Sequence, residues 1–565
     1  MSTRRRLIGQ VLKERGLVNE GQIQEALAIQ REKGGPIGKI LIDLGYVEPG
    51  QLSLALGIQQ GFEVVDLDDF DISEELARRI DASSAQVFKV VPVREESGTL
   101  VVALADPLNS NFLDELQFLV GSEVRGVIAD PEQIDAALRR LYGDAGTRPA
   151  GMKEVLDEIK KEGTGSVDLS DKAAMAHAAP VVKLLNFILF QAVRDQASDI
   201  HLEPFETEFR VRYRVDGVLY ELEPPPQSLA VPLISRVKVM ANLDIAETRI
   251  PQDGRIELAI DGRAVDLRVS TLPTMYGESC VLRVLDRSVV ALDLERVGLT
   301  DRDRERVEMM LDRPHGIVLV TGPTGSGKTT TLYSMLNHSN DPSIKIITTE
   351  DPVEYDLDGI IQVPINDEIG VSYAAVLRTI LRQDPDRILV GETRDLETAR
   401  IAIEAALTGH LVFSTVHTND APSTIDRLVD LGVEPFLLSA TLTAVIGQRL
   451  VRRVCKGCRT EYKPSDEILW QLGLDPENVS EKVFYYGPGC DQCNDSGYRG
   501  RVALFEIMEV TPRMKRGILE GWPQNRLREL ALEEGMIPLR ESGLRRIFDG
   551  LTTPEEVIRE TFVEA

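Results

Sequence analysis

Long apolar runs are missing from this chain of 565 residues, which nowhere carries about 18 consecutive apolar residues and so has no candidate membrane-spanning helix. The opening MSTRRRLIGQ is basic, but no unbroken apolar stretch follows, so it does not read as a signal peptide. Positive charge is in deficit too. Sixty-four Lys and Arg stand against 91 Asp and Glu, a net charge of −27. So acidic a surface repels nucleic-acid phosphates unless a local basic patch intervenes, which disfavours DNA or RNA as substrate. These absences point to a cytosolic protein that touches a membrane only through partners. Aromatic residues are few, 5%, but with 43% hydrophobic residues the composition is ordinary for soluble globular protein. The length suggests about three to four domains.

What is present is a phosphate-binding loop. Residues 316–330, GIVLVTGPTGSGKTT, give a β-branched strand, a glycine-rich turn and a helix-forming run. Gly322, Gly327, Lys328 and Thr329 fit G-x-x-x-x-G-K-[ST] at every position. The stretch Gly322, Pro323, Thr324, Gly325, Ser326, Gly327, Lys328, Thr329 and Thr330 is therefore the expected ATP site. Its glycines let successive backbone N–H groups turn toward one anion, Lys328 reaches the β- and γ-phosphates, and the Thr329 hydroxyl suits Mg²⁺. A further absence appears at RILVGETRD, residues 387–395. The apolar run Ile388–Val390 is followed by Gly391 and Glu392 where most P-loop ATPases place an aspartate that helps hold Mg²⁺.

Cysteine is scarce, with five in all. Cys280 sits alone in ESCVLRVL and reads as a small core residue. The others form two C-x-x-C pairs, Cys455/Cys458 and Cys490/Cys493, separated by 31 residues. Four thiolates so paired can close a tetrahedral zinc site of structural type, with a disulfide or a redox-active pair as the alternative.

Residues 8–30, IGQVLKERGLVNEGQIQEALAIQ, recur 29 positions later at 37–59 as IGKILIDLGYVEPGQLSLALGIQ. Gly9 matches Gly38, Gly16 matches Gly45 and Gln22 matches Gln51. Each copy reads as helix, turn and helix. The pair is either a small docking domain or a paired ligand site in which the repeated Gly and Gln residues present backbone to a ligand. Mixed α/β patterning follows to residue 142, and 143–178 reads as a linker. Residues 179–290 read as a compact α+β domain, with a helix, period-two strands and an Asp-Gly hairpin turn. Residues 291–565 hold the P-loop core, with a zinc-binding subdomain at about 450–500.

The motifs ASDIHLEP, PQDGRI, GPTGSGKTT, TTEDPVEY, LRQDPDRILVGETRD and TGHLVFSTVHTNDA together resemble the ATPase superfamily that drives type II secretion and type IV pilus assembly. The cysteine pairs and the N-terminal extension resemble its assembly and secretion members. The resemblance implies a multidomain α/β chain with a RecA-like P-loop core behind a PAS-like α+β domain and an α-rich N-terminal domain. It implies a cytoplasmic homohexamer, peripheral at the inner membrane, that hydrolyses ATP with Mg²⁺ to work on an inner-membrane platform protein. In this family Gly-Glu at 391–392 is characteristic. The motif positions imply Glu354 as the acceptor that orients the attacking water and Glu392 as acting on Mg²⁺ and its waters. Glu350 and Asp351 read equally as caps of the following turn. His410 and His417 both flank the TGHLVFSTVHT strand as sensor candidates, His417 nearer the phosphates. Arg268 and Arg283 match the strand positions that bring positive charge to the phosphates, or are surface residues paired with carboxylates. Arg378 and Arg382, sharing a helix face, and Arg394 read as interdomain and intersubunit ion-pair partners.

The tandem repeat resembles the cyclic di-GMP-binding domain of some members, whose motif begins Arg-Leu-Gly. Here the triplets are Leu7-Ile8-Gly9 and Pro36-Ile37-Gly38, so both arginines are missing and docking is the better reading. A nucleotide-controlled switch and a nucleic-acid translocase are the other function classes consistent with a P-loop core.

Overall fold

The computed structural model describes residues 8–33, 36–80, 82–105, 107, 113, 116–117, 120–142, 156, 179–260, 263–286 and 292–561. The chain divides into two compact units, residues 1–288 and 289–565. The 143–178 linker lies outside the described residues apart from Leu156.

In the first unit the tandem repeat forms α1 (Ile8–Glu14), α2 (Glu20–Lys33), α3 (Ile37–Asp43) and α4 (Pro49–Gln60). The copies share one core in which equivalent residues meet: Leu12 with Leu41, Val18 with Val47 and Ala26 with Ala55 are all buried in it. The repeated glycines and glutamines are accounted for by this packing. A Cβ on Gly9 would lie 3.4 Å from the Ile23 side chain, and one on Gly38 would lie 2.8 Å from Leu52, so both glycines let paired helices close up. Gly16 and Gly45 are left-handed turn residues, at φ 73° and 70°. Gln22 and Gln51 accept the backbone N–H of Asn19 (2.8 Å) and Glu48 (3.1 Å), closing capping boxes at the starts of α2 and α4. These residues thus serve helix ends and helix contacts.

A three-stranded sheet follows, of β1 (Val90–Glu96), β2 (Thr99–Leu104) and β3 (Glu123–Ile128) in that order. The mixed α/β patterning read up to residue 142 corresponds to this sheet, which follows the helical repeat and has its own core, including Val91, Val101, Leu104 and Ile128. The helix Ala82–Phe88 packs against the helix Ala179–Arg194, with Asn186 Nδ2 donating to Ser84 Oγ at 3.4 Å. This contact joins two segments that the sequence pattern separates.

Beyond the linker, β4 (Asp199–Pro204), β5 (Phe209–Val215), β6 (Val218–Glu221), β7 (Gln252–Ile260), β8 (Arg263–Thr274) and β9 (Gly277–Asp286) form an antiparallel sheet. Its order is β6-β5-β4-β9-β8-β7. The hairpin between β5 and β6 turns on Asp216 and Gly217, both at positive φ, as a two-residue turn demands. Alternate residues such as Ile200, Leu202, Val211 and Leu282 face the helices Ala179–Arg194 and Ala230–Met240. Cys280 lies in this core, where burial pushes its thiol up to about 12.

The second unit is built on β10 (Gly316–Thr321), β11 (Ile346–Glu350), β12 (Ile361–Pro364), β13 (Arg387–Val390), β14 (Leu411–Val416), β15 (Leu442–Val454) and β18 (Tyr498–Glu509). The sheet order is β12-β11-β13-β14-β10-β15-β18, parallel except for β18. The strands β10, β11, β13 and β14 are buried almost throughout because both faces are covered, whereas the edge strand β12 is partly exposed. Residues 455–497 leave the sheet between β15 and β18 and carry the short pair β16 (Thr460–Tyr462) and β17 (Phe484–Tyr486).

Candidate nucleotide site and four-thiol cluster

Parallel register brings the carboxyl ends of β10, β11, β13 and β14 to one edge, with Thr321 beside Val416 and Val390 beside both Thr349 and Ser414. Such an edge forms a crevice for ligands. Gly322, Gly325 and Gly327 take φ of 149°, 80° and 86°. A Cβ on Gly322 would fall 2.4 Å from the Gln448 carbonyl oxygen, and one on Gly327 would fall 2.9 Å from Gln448 Nε2. The loop is glycine both for its turn and because β15 presses on it from behind. Pro323, Thr324 and Thr329 are exposed, Thr330 is half-buried, and Ser326 is buried. Lys328 Nζ donates to the carbonyls of Gly322 (2.8 Å) and Pro323 (3.0 Å). Burial holds its ammonium below the usual lysine range, Arg449 adds to the shift and Glu392 opposes it.

Gly391 has a steric reason. A Cβ there would meet the Thr349 carbonyl oxygen at 3.0 Å and the Tyr373 hydroxyl at 3.1 Å, and its N–H donates to Thr349 at 2.8 Å. Glu392 then turns into the crevice. Its Oε2 is 2.7 Å from Arg394 Nε and its Oε1 is 3.2 Å from His417 Nε2. That ion pair raises the Arg394 guanidinium above its ordinary value.

Glu350, the last residue of β11, is buried and accepts from the hydroxyls of Tyr333 and Thr348 and from Gln362 Nε2 (3.1 Å). It is the hub of a core network rather than a cap. The Tyr333 hydroxyl in turn accepts the Glu354 backbone N–H at 3.3 Å, which ties the half-buried Glu354 to the same network. Burial, followed by Glu350, pushes the Tyr333 phenol upward.

The two histidines part company. His417 follows β14 at the P-loop edge, whereas His410 precedes β14 at the opposite edge, where its Nδ1 contacts the Ala405 carbonyl at 2.8 Å. His410 therefore contacts the end of the helix Leu396–Leu407, the full six residues of β14 away from the crevice, a position that does not suit a phosphate sensor. Arg378 pairs with Glu397 at 2.5 Å, and Arg382, beyond the end of the helix Tyr373–Ile380, donates to the Arg378 carbonyl at 2.9 Å. All three arginines read as interdomain partners, including Arg394, thus have contacts within this unit. Arg268 and Arg283 belong to the first unit, as neighbours across β8 and β9.

Tyr333, Tyr373, Gln448 and Arg449 escaped the sequence reading. The last two carried a usable signal, as a polar pair inside the apolar run LTAVIGQRLV. Both are buried, and Gln448 Oε1 accepts from Thr331 at 2.8 Å in the first turn of the helix Lys328–His338.

The four paired cysteines converge. Cys455 and Cys490 Sγ are 3.8 Å apart, Cys458 and Cys493 3.8 Å, and Cys490 and Cys493 3.7 Å. All four lie within 4.8 Å of one another. A tetrahedral metal with bonds of about 2.3 Å imposes S–S separations of about 3.8 Å, whereas a disulfide needs about 2.05 Å. The donor set fits a metal and not a bridge.

A glycine loop on a central parallel strand, a lysine inside it and a carboxylate following the strand next but one, β13, define a P-loop nucleoside triphosphatase. Residues 174–559 match the family of type II/IV secretion system proteins, and residues 60–148 match the MshEN domain. The chain is 43% identical to the type IV pilus assembly ATPase PilB of Myxococcus xanthus, over 98% of each chain. It is also 43% identical to the type II secretion system protein E of Xanthomonas campestris pv. campestris, over 84% of this chain and 83% of that protein. Among solved structures it is similar to the pilus retraction motor PilT with bound ADP, at 28% identity, covering 67% of this chain and 97% of that one with a TM-score of 0.47. The chain belongs to the type II/IV secretion system ATPase family. It is an ATP hydrolase of the secretion and pilus-assembly motors.

Proposed function

We propose that the chain works as a cytoplasmic homohexamer, held at the inner membrane by a platform protein, whose ATP cycle adds pilin-like subunits to a type IV pilus or a secretion pseudopilus. The observation that carries this reading is the cluster of Glu392, Arg394 and His417 facing Lys328 at the strand ends, a site that senses and turns over a triphosphate. Backbone N–H groups of 322–330 cradle the phosphates, and Lys328 leaves its loop carbonyls for their oxygens. Glu354 accepts a proton from the attacking water, so that the new P–O bond forms as the bond to ADP breaks. His417 reports the γ-phosphate to Glu392. Arg268 and Arg283 supply positive charge from the 179–290 domain when it closes on a nucleotide site, while Arg378, Arg382 and Arg394 couple that site to motion. Mg²⁺, when bound, would be held by Thr329, with Glu392 acting on its waters, and would neutralise phosphate charge. Zinc at Cys455, Cys458, Cys490 and Cys493 would be structural, since no ligand position is left open. The β6-β5-β4-β9-β8-β7 order, with first and last strands central, supports a PAS-like domain, and the central P-loop strand supports a RecA-like core.

The MshEN match favours a second, regulatory reading of the N-terminal part, in which it answers to cyclic di-GMP. Against it, Pro36 is the N-cap of α3, and proline has neither the guanidinium nor the N–H that a nucleotide would use. Docking to the cytoplasmic part of a membrane protein is the reading adopted.

The test is crosslinking and pull-down from native membranes with Glu354→Gln, which holds ATP and stalls the motor. Recovery of a polytopic inner-membrane protein with pilin-like subunits supports the proposal, and their identity names the machine. Recovery of nucleic acid, or of soluble proteins alone, overturns it.

A further inference from the structure

Cross-strand register in the six-stranded sheet lines up one transverse row: Arg214 faces Asp199, Asp199 faces Arg283, Arg283 faces Arg268 and Arg268 faces Arg255. Like charges set directly opposite destabilise a sheet, so the three adjoining arginines Arg283, Arg268 and Arg255 need a reason. They are held differently. Arg255 is closed onto the buried Asp266 by both Nε (2.6 Å) and Nη2. Arg214 uses Nη1 on the Gly217 carbonyl at 2.9 Å, with Nε 3.7 Å from Asp199. Among the described residues Arg283 is tethered through Nε, to Asp199 Oδ1 at 3.3 Å, and its side chain is 58% exposed. Asp199 is itself 14% exposed, and its other oxygen accepts from Ser198 Oγ at 2.8 Å.

We infer that Asp199 is a positioning residue: by gripping Arg283 at Nε it fixes the guanidinium plane and keeps the Nη fork directed outward for a phosphate. The inference rests on the reading of Arg283 as a residue that meets the triphosphate. A fork presented on a fixed plane matches phosphate oxygens bidentately, and a partly buried carboxylate is what sets that plane. Asp199 also separates Arg283 from Arg214 and pairs with Arg283 at Nε, so the repulsion in the row is offset while the Nη fork stays at the surface.

The test is a double-mutant cycle in the full chain, measuring kcat and KM for ATP with Asp199→Asn, Arg283→Ala and both, and melting curves as the folding control. A lost geometry predicts that Asp199→Asn lowers kcat by roughly ten- to a hundredfold with KM within about twofold and the melt unchanged. In the Arg283→Ala background it has no further effect, and Asp199→Glu restores part of the rate. An effect of Asp199→Asn that multiplies onto Arg283→Ala, a lowered melt that accounts for the loss, or a wild-type kcat overturns the inference. If Arg283→Ala alone leaves kcat unchanged, the parent reading fails and the inference with it, whereas a defective Arg283→Ala beside an inert Asp199→Asn sinks the inference only.

Discussion

Replacing Tyr333 by Phe removes one hydroxyl from the centre of the second unit and tests how Glu354 is held. That hydroxyl donates to the buried Glu350 and accepts the backbone N–H of Glu354 at 3.3 Å and Gln362 Nε2 at 3.4 Å. The accepted bonds sit at the long end of the range and contribute little to stability, though the one from Glu354 fixes where that residue sits. The donated bond is the strong one, because burial and the adjacent carboxylate raise the phenol and keep its proton in place. Losing a hydrogen bond to a carboxylate and stranding its buried oxygen costs about 2–4 kcal/mol. For a unit of this size, that lowers the melting transition of residues 289–565 by about 5–10 °C. With its backbone anchor gone, Glu354 drifts, and kcat falls by about tenfold. Differential scanning calorimetry and steady-state ATPase assays read both effects. Adding Glu350→Gln to Tyr333→Phe should cost less than the two single changes summed, because they break the same bond. A variant with a melt within about 1 °C of the parent, an unchanged kcat and strict additivity would refute the network as drawn.

Three further outcomes follow from the same geometry. Gly391→Ala forces a Cβ against the Thr349 carbonyl and the Tyr373 hydroxyl and should destabilise by about 1–3 kcal/mol, with Glu392 displaced and ATP turnover reduced; an unchanged denaturation midpoint would show that the strand end has room. Removing metal with a strong chelator under reducing conditions should release one zinc per chain and lower the melting temperature, while a chain that binds none and melts identically would leave the four thiols as an unmetallated cluster. Because burial depresses Lys328, the charged form is the one lost early: ATP affinity should be intact at neutral pH and weaken as pH rises, before the usual lysine value of about 10.4 is reached. Titration calorimetry across that range checks it, and an affinity that stays flat to the ordinary value would contradict it.

Much of the site was legible because it depends on local backbone chemistry. The Gly322–Thr329 spacing, the Asp216-Gly217 turn and the paired C-x-x-C motifs each specify geometry within a few residues. Contacts that form only when distant strands meet were not legible. Gln448 backs the P-loop from β15, Tyr333 joins Glu350 to Glu354, and His410 and His417 differ only in which end of β14 they occupy. The repeated Gly and Gln of the N-terminal pair serve helix packing and capping, needs that any tight helical repeat has and that their periodicity alone does not distinguish from a ligand site. The three strands at 90–128 fall in the stretch whose mixed α/β patterning was legible up to residue 142.

The most direct test of a catalytic carboxylate in a working motor is single-turnover ATP hydrolysis by Glu354→Gln, beside its equilibrium ATP affinity. The variant keeps the P-loop and Lys328, so it should bind ATP as tightly as the parent chain and hydrolyse it about a hundredfold or more slowly. Hydrolysis at the parent rate would remove Glu354 from the reaction and leave the carboxylate of Glu392 to carry it alone.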